Sequence, residues 1–182
     1  MNYQADKYNK IRTAALLQTQ DQFKEMEPEL AEHFCLTHIS KEALDSQKTW
    51  GIPGNRQIGW EWDKVVQKYR RDYVARIELA IWYKKELCGL MIGKASDGKL
   101  VVKINFIQGG EKDNQLKGFV VPIATRYAEL FAVAIEANWI GIQDPIENID
   151  LINYYRELGF DEKDHFDPRN KALLKRVELN ED

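Results

Sequence analysis

The chain of 182 residues has only two cysteines, Cys35 and Cys88, and they lie far apart. That excludes a disulfide-stapled scaffold and points to two free thiols in a reducing compartment. Its three histidines are His33, His38 and His165. The group His33, Cys35 and His38 falls in a stretch read as helix, where positions 33 and 35 point apart, so no metal site is expected. Positive charge is also short: 26 Lys and Arg against 29 Asp and Glu leave a net charge of −3. A dedicated nucleic-acid binder usually carries a basic footprint, so a nucleic-acid partner is not expected. The basic stretch with Lys64, Lys68, Arg70, Arg71 and Arg76 reads as a solvated helix face followed by a strand. No apolar run approaches membrane-spanning length, and the N-terminal residues are too polar for a secretory h-region. A cytoplasmic location follows by elimination, and neither a membrane nor a metal is expected. There is no Walker loop, no G-x-G-x-x-G and no internal repeat.

What is present is ordinary in bulk and specific in order. Hydrophobic content of 44% and charged content of 30% fit a soluble globular chain with a real core. From about Ile11 to Met26, residues Leu16, Thr19, Phe23 and Met26 recur at helical spacing. Pro28 can open a second helix, with Leu30, Phe34 and Ile39 as its buried face. The stretch Trp50 to Trp60 has three glycines and a proline and reads as an irregular loop. Trp62, Val65, Val66 and Tyr69 mark another helix. A strand near Lys10 to Leu16 is the alternative for the opening segment.

The period changes at Ala75. Ala75 to Tyr83 and Glu86 to Ala95 read as strands around a Lys84-Lys85 turn, and Asp97-Gly98 leads into a third strand, Leu100 to Ile107. A loop from Gly109 to Asn114 precedes a helix from roughly Lys117 to Ala137, with Pro122 tolerated near its first turn. Trp139 to Ile142 is a short buried strand. Asn148 caps a last helix whose Leu151, Ile152, Tyr155 and Leu158 share one face, and Gly159 suits its C-terminal stop. Asp161 to Lys171 is a polar connection and Ala172 to Leu179 a final strand. The order from Ala75 is therefore β-β-β-α-β-α-β, an α+β arrangement.

Two segments carry a resemblance. Asn148-Ile-Asp-Leu-Ile-Asn-Tyr-Tyr155-Arg-Glu-Leu-Gly159-Phe160 resembles the end of the acetyl-CoA-binding core of the Gcn5-related N-acetyltransferases (GNAT). Gln115-Leu116-Lys117-Gly118-Phe119-Val120 resembles that family's pyrophosphate loop, Q/R-x-x-G-x-G/A, with Val120 where the family prefers Gly or Ala. Helix-start amides, unpaired and at the positive end of the dipole, suit a diphosphate, and glycine lets it come close. Glu111 and Asp113 oppose an anion there, and Lys112 and Lys117 offset them in part.

The resemblance implies a single domain over 1–182, with 1–74 a helical part and acceptor-side loop and 75–182 the cofactor-binding core. It implies a mixed, mostly antiparallel sheet whose central strands splay, flanked by helices in three layers. Phe106 and Ile107 would present backbone groups to the pantetheine arm of acetyl-CoA, the co-substrate, as an added strand does. Asn148 would contact the pantetheine region as well as cap its helix. Tyr155 resembles the general acid that protonates the departing thiolate; its other reading is a ring packed on an apolar face. No base stands on the strand before the phosphate loop, where Asn105 and Gln108 occur, so Glu78 acting through water is the candidate, against a paired or solvated glutamate. Trp50, Trp60 and Trp62 would rim the acceptor side or pack in the core. The implied activity is acetyl transfer to a primary amine in a ternary complex. The alternative is a binding or regulatory protein on the same fold, a coenzyme A sensor or partner module. The acceptor stays open, and a homodimer stays open as well.

Overall fold

The computed structural model describes residues 2–50, 60–110, 113–143, 145 and 148–178. Its first element is helix α1, Tyr3–Met26, which starts well before Ile11 because Asn2 caps it by accepting the Ala5 N–H. Tyr8, Arg12, Ala15, Leu16, Thr19 and Phe23 form one buried stripe along it. The alternative strand at Lys10 to Leu16 is therefore not formed.

The helix expected after Pro28 is not formed either. A single 3-10 turn, Ala31–His33, leads into strand β1, Phe34–Thr37. Phe34 and Leu36 are buried while Cys35 is exposed, a period of two that the Leu30–Phe34 spacing had hidden. β1 sits at the sheet edge, and Gln20 of α1 accepts its Leu36 N–H at 2.8 Å. An edge strand covered this way loses a free donor. Helix α2, Lys41–Lys48, follows with Ser40 as its cap. Helix α3, Trp62–Asp72, comes next, and residues 51–59, most of the expected loop, lie outside the described residues.

The strands β2 (Arg76–Tyr83), β3 (Glu86–Ala95) and β4 (Val101–Gly109) are the expected meander. Lys84 and Lys85 both take positive φ, 49° and 64°, as a two-residue turn matched to strand twist requires. Helix α4 runs over Val120–Ala134, shorter at both ends than expected, with Pro122 in its first turn where no intrahelical donor is lost. Strand β5 is Trp139–Ile142, helix α5 Ile149–Glu157, β6 Glu162–Lys163 and β7 Leu173–Arg176. β6 lies in the segment expected to be a plain connection. Its two residues are exposed and held by pairing with β7 rather than by burial, so no apolar pattern marks them.

The sheet order is β1-β2-β3-β4-β5-β7-β6, antiparallel throughout except for the parallel pair β4–β5. One sheet face, with Ile77, Leu79, Ile81 and Met91, packs on α1, α4 and α5 residues such as Leu16, Phe131 and Tyr155. The other, with Ala80, Trp82, Leu90 and Ile92, packs on α2 and α3 through Ala43, Trp62 and Val66. The result is three layers with a core on each side of the sheet.

Candidate functional site

The site begins where β4 and β5 part. Parallel pairing runs from Val101 opposite Trp139 to Ile104 opposite Ile142, and ends with the Gln143 N–H donating to the Ile104 carbonyl at 2.9 Å. Beyond it, β4 continues to Gly109 along β3 only. The cause lies in β4 itself. Ile92 pairs with Phe106 and Gly93 with Ile104, so Asn105 is an extra residue, a β-bulge that increases twist and bends the strand. Gly93 makes this possible, since a Cβ there would lie 1.9 Å from the Lys103 carbonyl oxygen. Asn105 Oδ1 is buried without a hydrogen-bond partner among the described residues. Phe106, Ile107 and Gln108 are only half-buried in a strand whose first half is core. The bulge also switches the faces: Ile104 packs on the α4–α5 side, yet Phe106, two residues on, packs on the α3 side.

At the same end of the sheet, residues 114–120 turn from β4 into α4. Asn114 organises the turn, accepting the Leu116 N–H at its side chain (3.0 Å) and the Lys117 N–H at its carbonyl (3.1 Å). The Phe119 N–H goes to the Leu116 carbonyl. Leu116 is fully buried and anchors the loop, while Gln115, Lys117 and Gly118 are exposed. Gly118 has φ of +87°, a left-handed conformation that favours glycine. The N–H groups of Gly118, Val120 and Val121 donate to no acceptor among the described residues. Val120 does not block them. Its side chain is buried against the sheet, with Cγ1 2.8 Å from where a Cβ of Gly89 would stand. The branched residue thus fills a gap left by a glycine in β3. Glu111 and Lys112 lie outside the described residues; Asp113 is exposed.

Helix α5, capped by Asn148, packs Tyr155 into the core on the α4 side. Asn148 Oδ1 accepts the Asp150 and Leu151 N–H groups at 2.9 and 3.3 Å, so its cap role is filled, and no hydrogen bond of its amide nitrogen occurs among the described residues. Tyr155 is buried in the core beside Tyr154, which is half-buried. Burial pushes the Tyr155 hydroxyl up to about 12, so it stays protonated at neutral pH.

Glu78 stands in the same cross-strand row as Phe106, with Ile92 of β3 between them. On β2 it faces the α3 side, 3% exposed, with Oε1 2.7 Å from Arg70 Nη2 and Oε2 3.2 Å from Arg76 Nε. Burial alone would raise its pKa, but the bonds and charges of Arg70 and Arg76 outweigh that and hold it below the usual carboxylate range. A carboxylate held so is a poor proton acceptor, and the paired reading of Glu78 fits its surroundings better than a base. The basic stretch is similarly occupied: Lys64 pairs with Glu61 and Arg71 with Asp72. Trp62 is core, its indole N–H donating to Gln108 Oε1 at 2.7 Å, and Trp60 sets its ring edge-on to Phe106. Sequence reasoning passed over the bulge at Asn105; the isolated Gly93 inside a strand pattern was its signal.

No family model matches the chain, and no curated protein does. Solved structures do. The Ard1 structure from Thermoplasma volcanium superposes with a TM-score of 0.61 at 10% identity, covering 81% of this chain and 99% of that one. An acetyltransferase of the GNAT family from Staphylococcus aureus Mu50 gives 0.60 at 10% identity over 80% and 99%. The fold is that of the Gcn5-related N-acetyltransferases. PaiA N-acetyltransferase from Thermoplasma acidophilum, solved with coenzyme A, gives 0.51 at 12% identity over 79% and 98%. The sheet opens with β1, which has α1 before it and α2 and α3 between it and β2. Among the described residues, no helix is long and apolar enough to cross a membrane, and no group of three or more His, Cys, Asp and Glu is placed to hold a metal ion.

Proposed function

We propose that this chain is an N-acetyltransferase that moves the acetyl group of acetyl-CoA to a primary amine by direct transfer in a ternary complex. The observation that carries it is the parting of β4 and β5 after Ile104, at the sheet end where the amides of Gly118, Val120 and Val121 are unused. Buried backbone groups are normally paired, so a strand left single in mid-sheet fits a ligand that completes it. Acetyl-CoA supplies a thioester-activated acetyl group when bound. Phe106 and Ile107 would present backbone donors and acceptors to its two arm amides, and the α4 start would hold its diphosphate. The Gly118 conformation and the inward turn of Val120 support that role.

Tyr155 would hold the proton that the departing thiolate needs. At about 12 it keeps that proton until demand arises. No side-chain base is assigned. With Glu78 locked between two arginines, the amine proton would leave through water. Asn148, its oxygen committed to the helix, would orient the arm through its amide nitrogen.

The test is calorimetric titration of acetyl-CoA, followed by a free-thiol release assay over a panel of amines. Saturable binding with turnover is expected. Binding without turnover on any amine would replace the transferase with a coenzyme A sensor, and no binding at all would remove both.

A further inference from the structure

On the α3 side of the sheet, the row beside that of Glu78 and Phe106 is cationic. Arg76 of β2 stands opposite Lys94 of β3, and Lys94 stands opposite Lys103 of β4. Like charges directly opposite one another destabilise a sheet. The outer two are neutralised. Arg76 Nε lies 3.2 Å from Glu78 Oε2 and Lys103 Nζ lies 2.6 Å from Asp164 Oδ2, and both carboxylates are buried. Lys94, between them, has no carboxylate within ion-pair distance among the described residues. Its Nζ lies over the Tyr73 ring, 3.9 Å from the centroid. A ring face attracts a cation but cancels none of its charge. Beyond Lys103 the row meets Gly141 of β5, which adds no side chain.

Aromatic rings join Lys94 to the gap between β4 and β5. Tyr73 packs on Tyr69 with centroids 5.0 Å apart, Tyr69 on Phe106 at 6.0 Å, and Phe106 on Trp60 at 5.2 Å. Trp60, Tyr73, Lys94 and Phe106 are each half-buried and keep surface for a ligand. The carboxylates nearby are spent: Glu61 on Lys64, Asp63 on Lys48, Asp72 on Arg71, and Glu78 on Arg70 and Arg76.

We propose that the acceptor amine belongs to a molecule that also bears a carboxylate on a flat apolar body, with the carboxylate on Lys94 and the body along Phe106 and Tyr73. The inference rests on the acetyl-transfer reading above. In that reading the diphosphate and Tyr155 occupy the α4 side, so the α3 side of the gap is the face left for the amine. The spare charge of this face, among the described residues, is one cation. A monoanion balances it, whereas a polyamine finds no free carboxylate. Ile92, opposite Phe106, and Lys94 are two residues apart on β3, about 7 Å at the rise of a strand. One aromatic ring with a substituent at each end spans that distance. The bound carboxylate gives the middle of the row the anion that its neighbours take from Glu78 and Asp164. Lys94 thus selects the acceptor and takes no part in the chemistry.

Thiol release by the full chain is compared for 4-(aminomethyl)benzoate, benzylamine and spermidine, in wild type, Lys94→Met and Lys94→Arg. The first two amines differ only in the carboxylate. In wild type, kcat/KM should be about tenfold higher for 4-(aminomethyl)benzoate than for benzylamine, the worth of one charge-assisted contact, with spermidine the poorest. The difference should lie in KM, since Lys94 holds ground and transition states alike. Lys94→Met should shrink the preference to less than about twofold, and Lys94→Arg should keep most of it. Methionine keeps an apolar stem against Tyr73 and removes one of three adjacent cations, so the melting temperature should not fall. Benzylamine or spermidine used as well as 4-(aminomethyl)benzoate, or a preference that survives Lys94→Met, overturns this inference and leaves the transferase standing. If no amine turns over, calorimetric titration of 4-(aminomethyl)benzoate into the chain with coenzyme A decides. Heat that is lost in Lys94→Met keeps the carboxylate site and fails only the transferase; no heat overturns both.

Discussion

Glu78 separates a structural from a catalytic carboxylate. Replacing it by Gln removes the anion that sits between Arg70 and Arg76 and leaves both guanidiniums facing each other, with Arg12 also in the neighbourhood. Breaking a well-buried ion pair by deleting one partner costs about 3–5 kcal/mol. Glu78 and Arg76 are well covered, but the Arg70 side chain is 41% exposed and can turn to water, which reduces the cost. We expect about 2–4 kcal/mol, and hence a fall in Tm of roughly 5–12 °C for a chain of this length. The pH dependence has a definite sign. Glu78 has a pKa held below its ordinary 4.5, so its contribution is complete above that value and fades as pH falls through the lowered one. The gap in Tm between wild type and Glu78→Gln should therefore be full at neutral pH and close below about pH 4.5. Thermal unfolding across pH reads the gap, and thiol release below the melting range reads turnover. An unchanged Tm together with a hundredfold loss of turnover, about the contribution of one general base, would make Glu78 the base after all and refute the reasoning.

Tyr155→Phe should lower turnover by about a hundredfold with acetyl-CoA affinity unchanged, read by thiol release and calorimetry. With its pKa at about 12, Tyr155 itself should produce no alkaline fall in the wild-type rate at ordinary assay pH. Gly93→Ala places a Cβ 1.9 Å from the Lys103 carbonyl oxygen, so the bulge must shift. It should cost about 1–3 kcal/mol in denaturant melts and weaken acetyl-CoA binding as well, because the bulge opens the gap. Gly118→Ala meets no neighbouring atom but is strained at φ +87°. It should cost about 1 kcal/mol of stability and weaken coenzyme A while sparing S-acetylpantetheine, since only the former brings a diphosphate. Gly89→Ala should be destabilising alone through contact with Val120, and Val120→Ala should relieve it in a double-mutant cycle.

The strands from Arg76 to Gly109 and the helices α1, α4 and α5 were legible in sequence because each carries its own periodicity and punctuation. Asn148 and Gly159 bracket α5, Lys84-Lys85 turns β2 into β3, and Gly118 sits where positive φ is needed. These are local choices, made by residues within a few positions of one another. Segments with two admissible periods were not legible. Leu30, Phe34 and Ile39 fit a helix, and only pairing with Tyr83 to Ala80 and the cap from Gln20 make Phe34–Thr37 a strand. β6 has no pattern at all and exists because β7 offers it an edge. Side-chain chemistry divided the same way. That Glu78 is ionisable and has Arg76 two residues away on its own strand is written in the chain, but that Arg70 also reaches it depends on α3 lying over β2. Val120 departs from the small residue of the resembled loop, and only the sheet supplies Gly89 as its socket. The bulge at Asn105 and the parting of β4 from β5 arise from pairing between separate strands. Periodicity determines which face of each element is buried; what that face meets is decided only when the chain closes on itself.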